Sequence, residues 1–193
     1  MSTLSGMGDG LQAAWLLARG RPEGLAVLSA RAEPAMATAA RSFWAAALCL
    51  PAFVCLQLMS LTGTSATAFS AHTFALQLEG YALDWAAFAL VSRSLAMVVG
   101  QGEKWPVFIA ALNWCNVIQF VLLVAAGLPS LLGLPDFVGE TVWLVVYGWS
   151  LWLEWYVSKL SLDIDGMSAV GFVVLDEALG LILLMVIQGI GGA

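Results

Sequence analysis

Apolar residues gather in five blocks, 42–62, 80–99, 105–128, 138–158 and 167–190, separated by short polar or Gly/Pro-rich breaks. At ~1.5 Å of rise per residue, a block of about 20 residues spans the ~30 Å of a bilayer's hydrocarbon. The pattern predicts an all-α fold: a polytopic transmembrane helical bundle with five spans in a single domain, 42–193. Ahead of it lies a segment, 1–41, in which Leu11, Ala14, Trp15, Leu17 and Ala18 recur at helical spacing until Arg19, Gly20, Arg21 and Pro22 end the run. That reads as a short interfacial amphipathic helix in the headgroup layer, with Trp15 as its anchor.

The breaks refine this picture. Pro51 inside the first block predicts a kink, because proline removes a backbone hydrogen bond. Residues 63–78, rich in Ser, Thr and Ala and containing His72, read as an outer loop. Gly100, Gln101 and Gly102 predict a tight inner turn, Pro106 sits where proline costs a helix little, and Pro129, Gly133 and Pro135 break the chain on the outer side. The first block begins late and lacks a small-residue cleavage pattern at a usual position, so it is expected to be a retained span. The odd number of blocks offers no simple duplicated halves.

Charge then orients the bundle. Arg19, Arg21, Arg31 and Arg41 precede the first block, Lys104 lies between the second and third, and Lys159 between the fourth and fifth, whereas 63–78, 129–139 and the tail after 190 contain no Lys or Arg. Positive residues favour the cytoplasmic side, so the N-terminus is expected inside and the C-terminus outside. Trp15 on the N-terminal helix and Trp44, Trp105 and Trp155 near block ends read as interface anchors.

Composition agrees with a membrane solvent: 61% of residues are hydrophobic and 10% charged, against about 25% charged in soluble domains. The bias toward Ala, Gly, Leu and Trp, with Lys scarce, suggests a bacterial cytoplasmic (inner) membrane. The expected partners are membrane lipids and other membrane-protein subunits, with homo-oligomerisation open and no nucleic acid. Cys49, Cys55 and Cys115 lie in apolar blocks with neither a disulfide framework nor a zinc spacing. One histidine cannot supply two-histidine haem ligation, and no CxxCH, GxSxG or HExxH occurs. No metal, no cofactor and no enzymatic activity are expected.

Ionisable groups in hydrocarbon need an account. Asp84, Arg93, Glu154, Asp176 and Glu177 fall within blocks, and counting inward places Arg93 ~9 Å, Glu154 ~6 Å and Asp176 ~14 Å deep, close to one layer. The expectation is a buried polar network in which Arg93 pairs with Glu154, Asp176 or Glu177 while Asn113 and Asn116 complete its hydrogen bonds. Adjacent helical residues point about 100° apart, so Asp176 and Glu177 do not readily share one partner. Such a network either staples the bundle, with Arg93 and Glu154 reaching toward the inner interface, or marks a conduction or proton-relay path. Asn113, Asn116 and Gln119 recur every third residue as a stripe suited to interhelical bonding. Trp149, Trp152 and Trp155 form a second stripe, suited to packing or to stacking a quinone or pigment.

The basic N-terminal segment, five spans with the N-terminus inside, the inner turn from Gly100 to Pro106 and the apolar final pair of spans resemble the Yip1-like family of small integral membrane proteins, in its bacterial form. The DLYGP-type element of eukaryotic members is missing here. The resemblance implies a five-helix fold and action through protein or lipid contacts. Three functions remain in view: a non-enzymatic partner-binding, assembly or membrane-organising subunit; a small channel or transporter using Arg93, Asp176 and Glu177; and an accessory subunit of an energy-transducing complex.

Overall fold

The computed structural model describes residues 3–30, 33–61 and 71–191, and among these the chain is helical throughout, without strands. Eight helical segments follow one another: α1 Thr3–Ala18, α2 Glu23–Ser29, α3 Ala35–Ser42, α4 Trp44–Leu61, α5 Ala71–Val98, α6 Trp105–Leu131, α7 Asp136–Leu162 and α8 Gly166–Gly191. Four stretches are long and apolar enough to cross a membrane: Ala35–Ser60, Ala71–Val98, Trp105–Leu131 and Gly166–Ile190. They mark a membrane protein. Helix α7 matches α6 in length, but its four tryptophans, two tyrosines, Glu140 and Glu154 dilute the aliphatic run.

Several boundaries differ from the sequence reading. Helix α5 starts at Ala71, so His72 belongs to its first turn rather than to a loop; Ala, Leu, Gln and Glu are good helix formers and extend the helix at its N-terminal end. Residues 62–70 of the expected outer loop lie outside the described residues. The helix of the third block runs through Pro129 to Leu131, and the first block is helical through Pro51 but divides at Phe43 into α3 and α4.

The turns follow one device. Helices α1, α5, α6 and α7 are each followed by a residue of positive φ: Gly20, Gly100, Gly133 and Asp163. In each case the next amide reaches back five residues, as when the Gln101 N–H donates to the Ala96 carbonyl at 2.8 Å and the Ile164 N–H to the Lys159 carbonyl at 3.2 Å. Glycine enters this region without Cβ strain and satisfies the last free carbonyls. Asp163 does the same without that freedom.

Helix α6 is the hub, packed against α1, α3, α4 and α7, while α8 bridges α5 and α7. At ~40 Å, it is longer than the hydrocarbon layer is thick. Its first half is clothed by protein: Phe108, Ile109, Ala110 and Ala111 are fully or almost fully buried. Helix α1 supplies part of that cover with Ala13, Ala14 and Leu17, all completely buried. Gly10 allows the closest approach, since a Cβ there would overlap the indole of Trp114. The N-terminal helix thus has one face seated on α6 and leaves Trp15 on the other, 56% exposed. Burial of Leu17 contributes about 1.5–3 kcal/mol relative to leaving it in water.

Candidate functional site

Four helices each turn one polar and aromatic face toward a shared interior. On α5, Tyr81, Asp84, Trp85 and Phe88 follow i, i+3, i+4, i+7 spacing, and on α7 Tyr147, Ser150, Leu151 and Glu154 do the same. Helix α6 presents Asn113, Asn116 and Gln119, and α8 presents Asp176 and Glu177. The space between them is a cavity of about 190 Å³. Five of the six expected network residues, Asn113, Asn116, Glu154, Asp176 and Glu177, come together here, joined by Asp84.

Arg93 does not join them. It is exposed on α5, with its guanidinium 5.7 Å from the centre of the Trp105 ring, and no Arg, Lys or His lines the cavity. Asn113 donates instead to Ser42 Oγ at 2.8 Å, and Ser42 Oγ in turn donates to the Ala39 carbonyl, which pins α6 to the end of α3. Gln119 donates to the Ser150 carbonyl at 3.0 Å, binding α6 to α7. Two members of the asparagine and glutamine stripe are therefore interhelical ties.

The carboxylates are served unequally. Glu177 Oε2 accepts a hydrogen bond of 2.5 Å from the Tyr147 hydroxyl. Glu154 is only 4% exposed, and its Oε1 has no hydrogen-bond partner; Asp84 Oδ1 is likewise buried and unpartnered. Ser150 Oγ and Ser158 Oγ share that state. Residues 150, 154 and 158 stand four apart, so the unpartnered oxygens form a column down one side of α7.

At one end the cavity adjoins a wider cleft of about 560 Å³ between α4, α5, α6 and α8. Tyr81, Asp84 and Phe120 border both spaces. The cleft is mostly apolar, with Phe53, Leu76, Leu183, Leu184 and Ile187 on its wall, but it adds Gln57, Thr73, Gln77 and Gln188 and carries no charged side chain apart from Asp84. Phe88 on the cavity wall packs toward the core, 6.3 Å from Phe108, which lies 5.3 Å from Phe172 between ring centres.

Cations and tryptophans gather near the C-terminal ends of α1 and α7. Arg19 lies 5.5 Å from the ring centre of Trp15 and Lys159 5.1 Å from that of Trp155. The Trp155 indole also donates to the Gly166 carbonyl at 3.0 Å. Trp44 is 52% exposed as an anchor would be, but Trp105 is buried and donates to Ser92 Oγ at 3.0 Å. Lys104 pairs with Asp163 at 3.0 Å, joining the turn before α6 to the turn after α7. Within the tryptophan stripe, Trp152 stacks on Tyr156 at 5.4 Å, one helical turn along.

Asp165 caps α8. Its carboxylate accepts from the Ser168 hydroxyl at 2.6 Å and from the Met167 and Ser168 amides at 2.8 and 3.0 Å. These bonds, that from the Ser168 hydroxyl foremost, hold its pKa below the usual carboxylate value.

Among the described residues, no group of three or more His, Cys, Asp or Glu side chains is arranged to hold a metal ion. Cys49 and Cys115 are buried and Cys55 exposed, all as free thiols. Sequence reasoning missed Tyr81, Trp85 and Tyr147; the spacing they share with Asp84 and Glu154 was the available signal. Comparison with protein families, characterised proteins and solved structures gives no match for this chain.

Proposed function

We propose that this is a five-span protein of the bacterial cytoplasmic membrane, N-terminus inside and C-terminus outside, whose acidic cavity is a chamber for moving a cation, protons included. The observation that carries this reading is Asp84, Glu154, Asp176 and Glu177 lining one cavity with no basic side chain on its wall. Like charges in a low-dielectric space repel strongly, so the group is tolerated only with added positive charge, as protons or as a bound cation. Intramembrane acids facing a cavity are the usual mark of a substrate or proton path.

The five-crossing count draws support from the length of α7 beside the four apolar helices, and from the cations clustered near the inner turns. It agrees with what the Yip1-like layout implies. A route is also suggested: the cleft with its three glutamines on one side of Asp84, and the column Ser150, Glu154 and Ser158 on the other. Outward apolar residues on α8, such as Leu181, Ile182 and Met185, are satisfied by lipid and require no protein partner.

Proteoliposomes holding a pH-sensitive dye test the reading under an imposed membrane potential. Wild-type protein should carry charge-coupled flux that Glu154→Gln lowers at least tenfold. Flux no greater than in protein-free vesicles, with either protons or small cations supplied, overturns it.

A further inference from the structure

The cavity's walls, and not only its charge, specify what it takes. We infer that its ligand is a small organic ammonium ion carrying at least one N–H, admitted past Asp84 and bound with its positive head at Glu154 and its carbon against the aromatic faces of α5 and α6. This deepens the transport reading above and rests on it.

Three observations converge. Glu154 is more than nine-tenths buried and presents an oxygen with no partner in the protein, as does Asp84. A buried acceptor left unmade is costly, so each calls for a donor, and an ammonium N–H supplies donor and charge together. The same space is walled by Tyr81, Trp85, Phe88 and Phe120. Aromatic faces attract alkylated cations and do not replace the oxygen cage that an inorganic ion demands. The acids lie around the chamber instead of converging, and among the described residues none form a metal-holding group.

Size and access fit the same class. A cavity of about 190 Å³ corresponds to the liquid volume of about six waters, room for an ammonium head with a short carbon tail. The wider cleft reaches it at Tyr81, Asp84 and Phe120. Asp84 therefore stands at the mouth as the first charge a cation meets, and Glu154 lies in the interior as the second. The glutamines and Thr73 of the cleft can hydrogen-bond an arriving ion without holding it by charge.

The test uses detergent-purified full-length protein and calorimetric titration with ethylammonium, phenethylammonium and tetramethylammonium chlorides, against sodium and potassium chloride at equal ionic strength. The N–H-bearing ions should bind saturably and tighter than tetramethylammonium, with sodium and potassium giving no saturable heat. Glu154→Gln and, independently, Asp84→Asn should each weaken ethylammonium at least tenfold, and Trp85→Leu should weaken phenethylammonium more than ethylammonium. Helicity and elution volume confirm that each variant is folded. Equal binding of sodium, or a tetramethylammonium affinity as high as that of ethylammonium, overturns the inference, and so does unchanged binding in both acid variants. Vesicle flux separates this failure from that of the wider reading: proton flux that needs Glu154, with no ammonium binding, leaves a proton path and removes the ammonium ligand. Ammonium binding with no flux of any ion removes transport and leaves the ligand class standing.

Discussion

The Tyr147 hydroxyl donates to Glu177 Oε2 at 2.5 Å and ties α7 to α8 beside the cavity that both residues line. It also distinguishes the two adjacent acids of α8. Both line the cavity, but Glu177 is the more exposed and is bonded to its neighbour, while Asp176 is the more buried. Tyr147→Phe removes only the hydroxyl and keeps the ring that stacks on Trp143 at 4.9 Å. Its cost should be about 0.6 kcal/mol, the typical size of a hydrogen bond between helices in membranes. Equilibrium unfolding in mixed micelles measures it.

Arg93→Ala should leave folded yield near wild type. The guanidinium lies over Trp105 at an exposed position and has no acidic partner in the cavity, so its loss costs about 0.5–1 kcal/mol. Glu154→Gln made in the Arg93→Ala background should then add its effect without compensation, because the two groups do not meet. Thermal unfolding of the two single variants and the double variant gives the coupling energy directly.

That result would explain where sequence reasoning succeeded and where it failed. Proline and glycine punctuation made the long helices legible, and depth counting put Arg93, Glu154 and Asp176 close to one layer, of which Glu154 and Asp176 share the cavity and Arg93 does not. Depth says nothing about direction around the helix axis. The cavity face of α5 runs through 81, 84, 85 and 88, and continues to Ser92, which is buried. Arg93 is the next residue and is turned about 100° away. The seat of α1 on α6 was partly hidden for a related reason: Ala13, Ala14 and Leu17 suit a headgroup layer as well as a protein groove, and only Gly10 against Trp114 distinguishes the two.

Gly10 is the point at which that seat can be broken. A methyl group there would overlap a ring that is 3% exposed and has nowhere to move. Gly10→Ala should destabilise the packing of α1 by about 1–3 kcal/mol, the usual range for overpacking. Limited proteolysis should then cut near Arg19 and Arg21 sooner than in wild type, while the rest of the chain stays resistant. Gly8→Ala is the control, because a Cβ at Gly8 meets open space.

The cap of α8 gives a pH signature outside the membrane spans. Hydrogen bonds from Ser168 and Met167 lower the pKa of Asp165 in the folded protein. A lowered folded pKa means stability that is fully present above the unfolded carboxylate value of about 3.9 and is lost as pH falls through the folded value. Asp165→Ala should therefore melt at a lower temperature than wild type at neutral pH, with the gap closing as pH drops below about 4. Melting curves from pH 7 to pH 3 follow it, and a gap that widens with acid would contradict the sign.

Glu154 separates a structural acid from a functional one. If it stapled the bundle, an apolar replacement would unfold or loosen the protein. Its buried Oε1 is unpartnered, however, and Ser150 and Ser158 on the same side of α7 offer it no hydrogen bond. Leaving a buried polar group unsatisfied costs about 1–3 kcal/mol, and an isosteric apolar side chain relieves that cost. Glu154→Met should accordingly raise the unfolding temperature in detergent and abolish cation-dependent flux in vesicles. Both readouts are needed together. A gain in stability with a loss of activity fits an acid retained for chemistry at the expense of packing; a loss of stability would make Glu154 part of the framework and remove the cavity's claim to a transported ion.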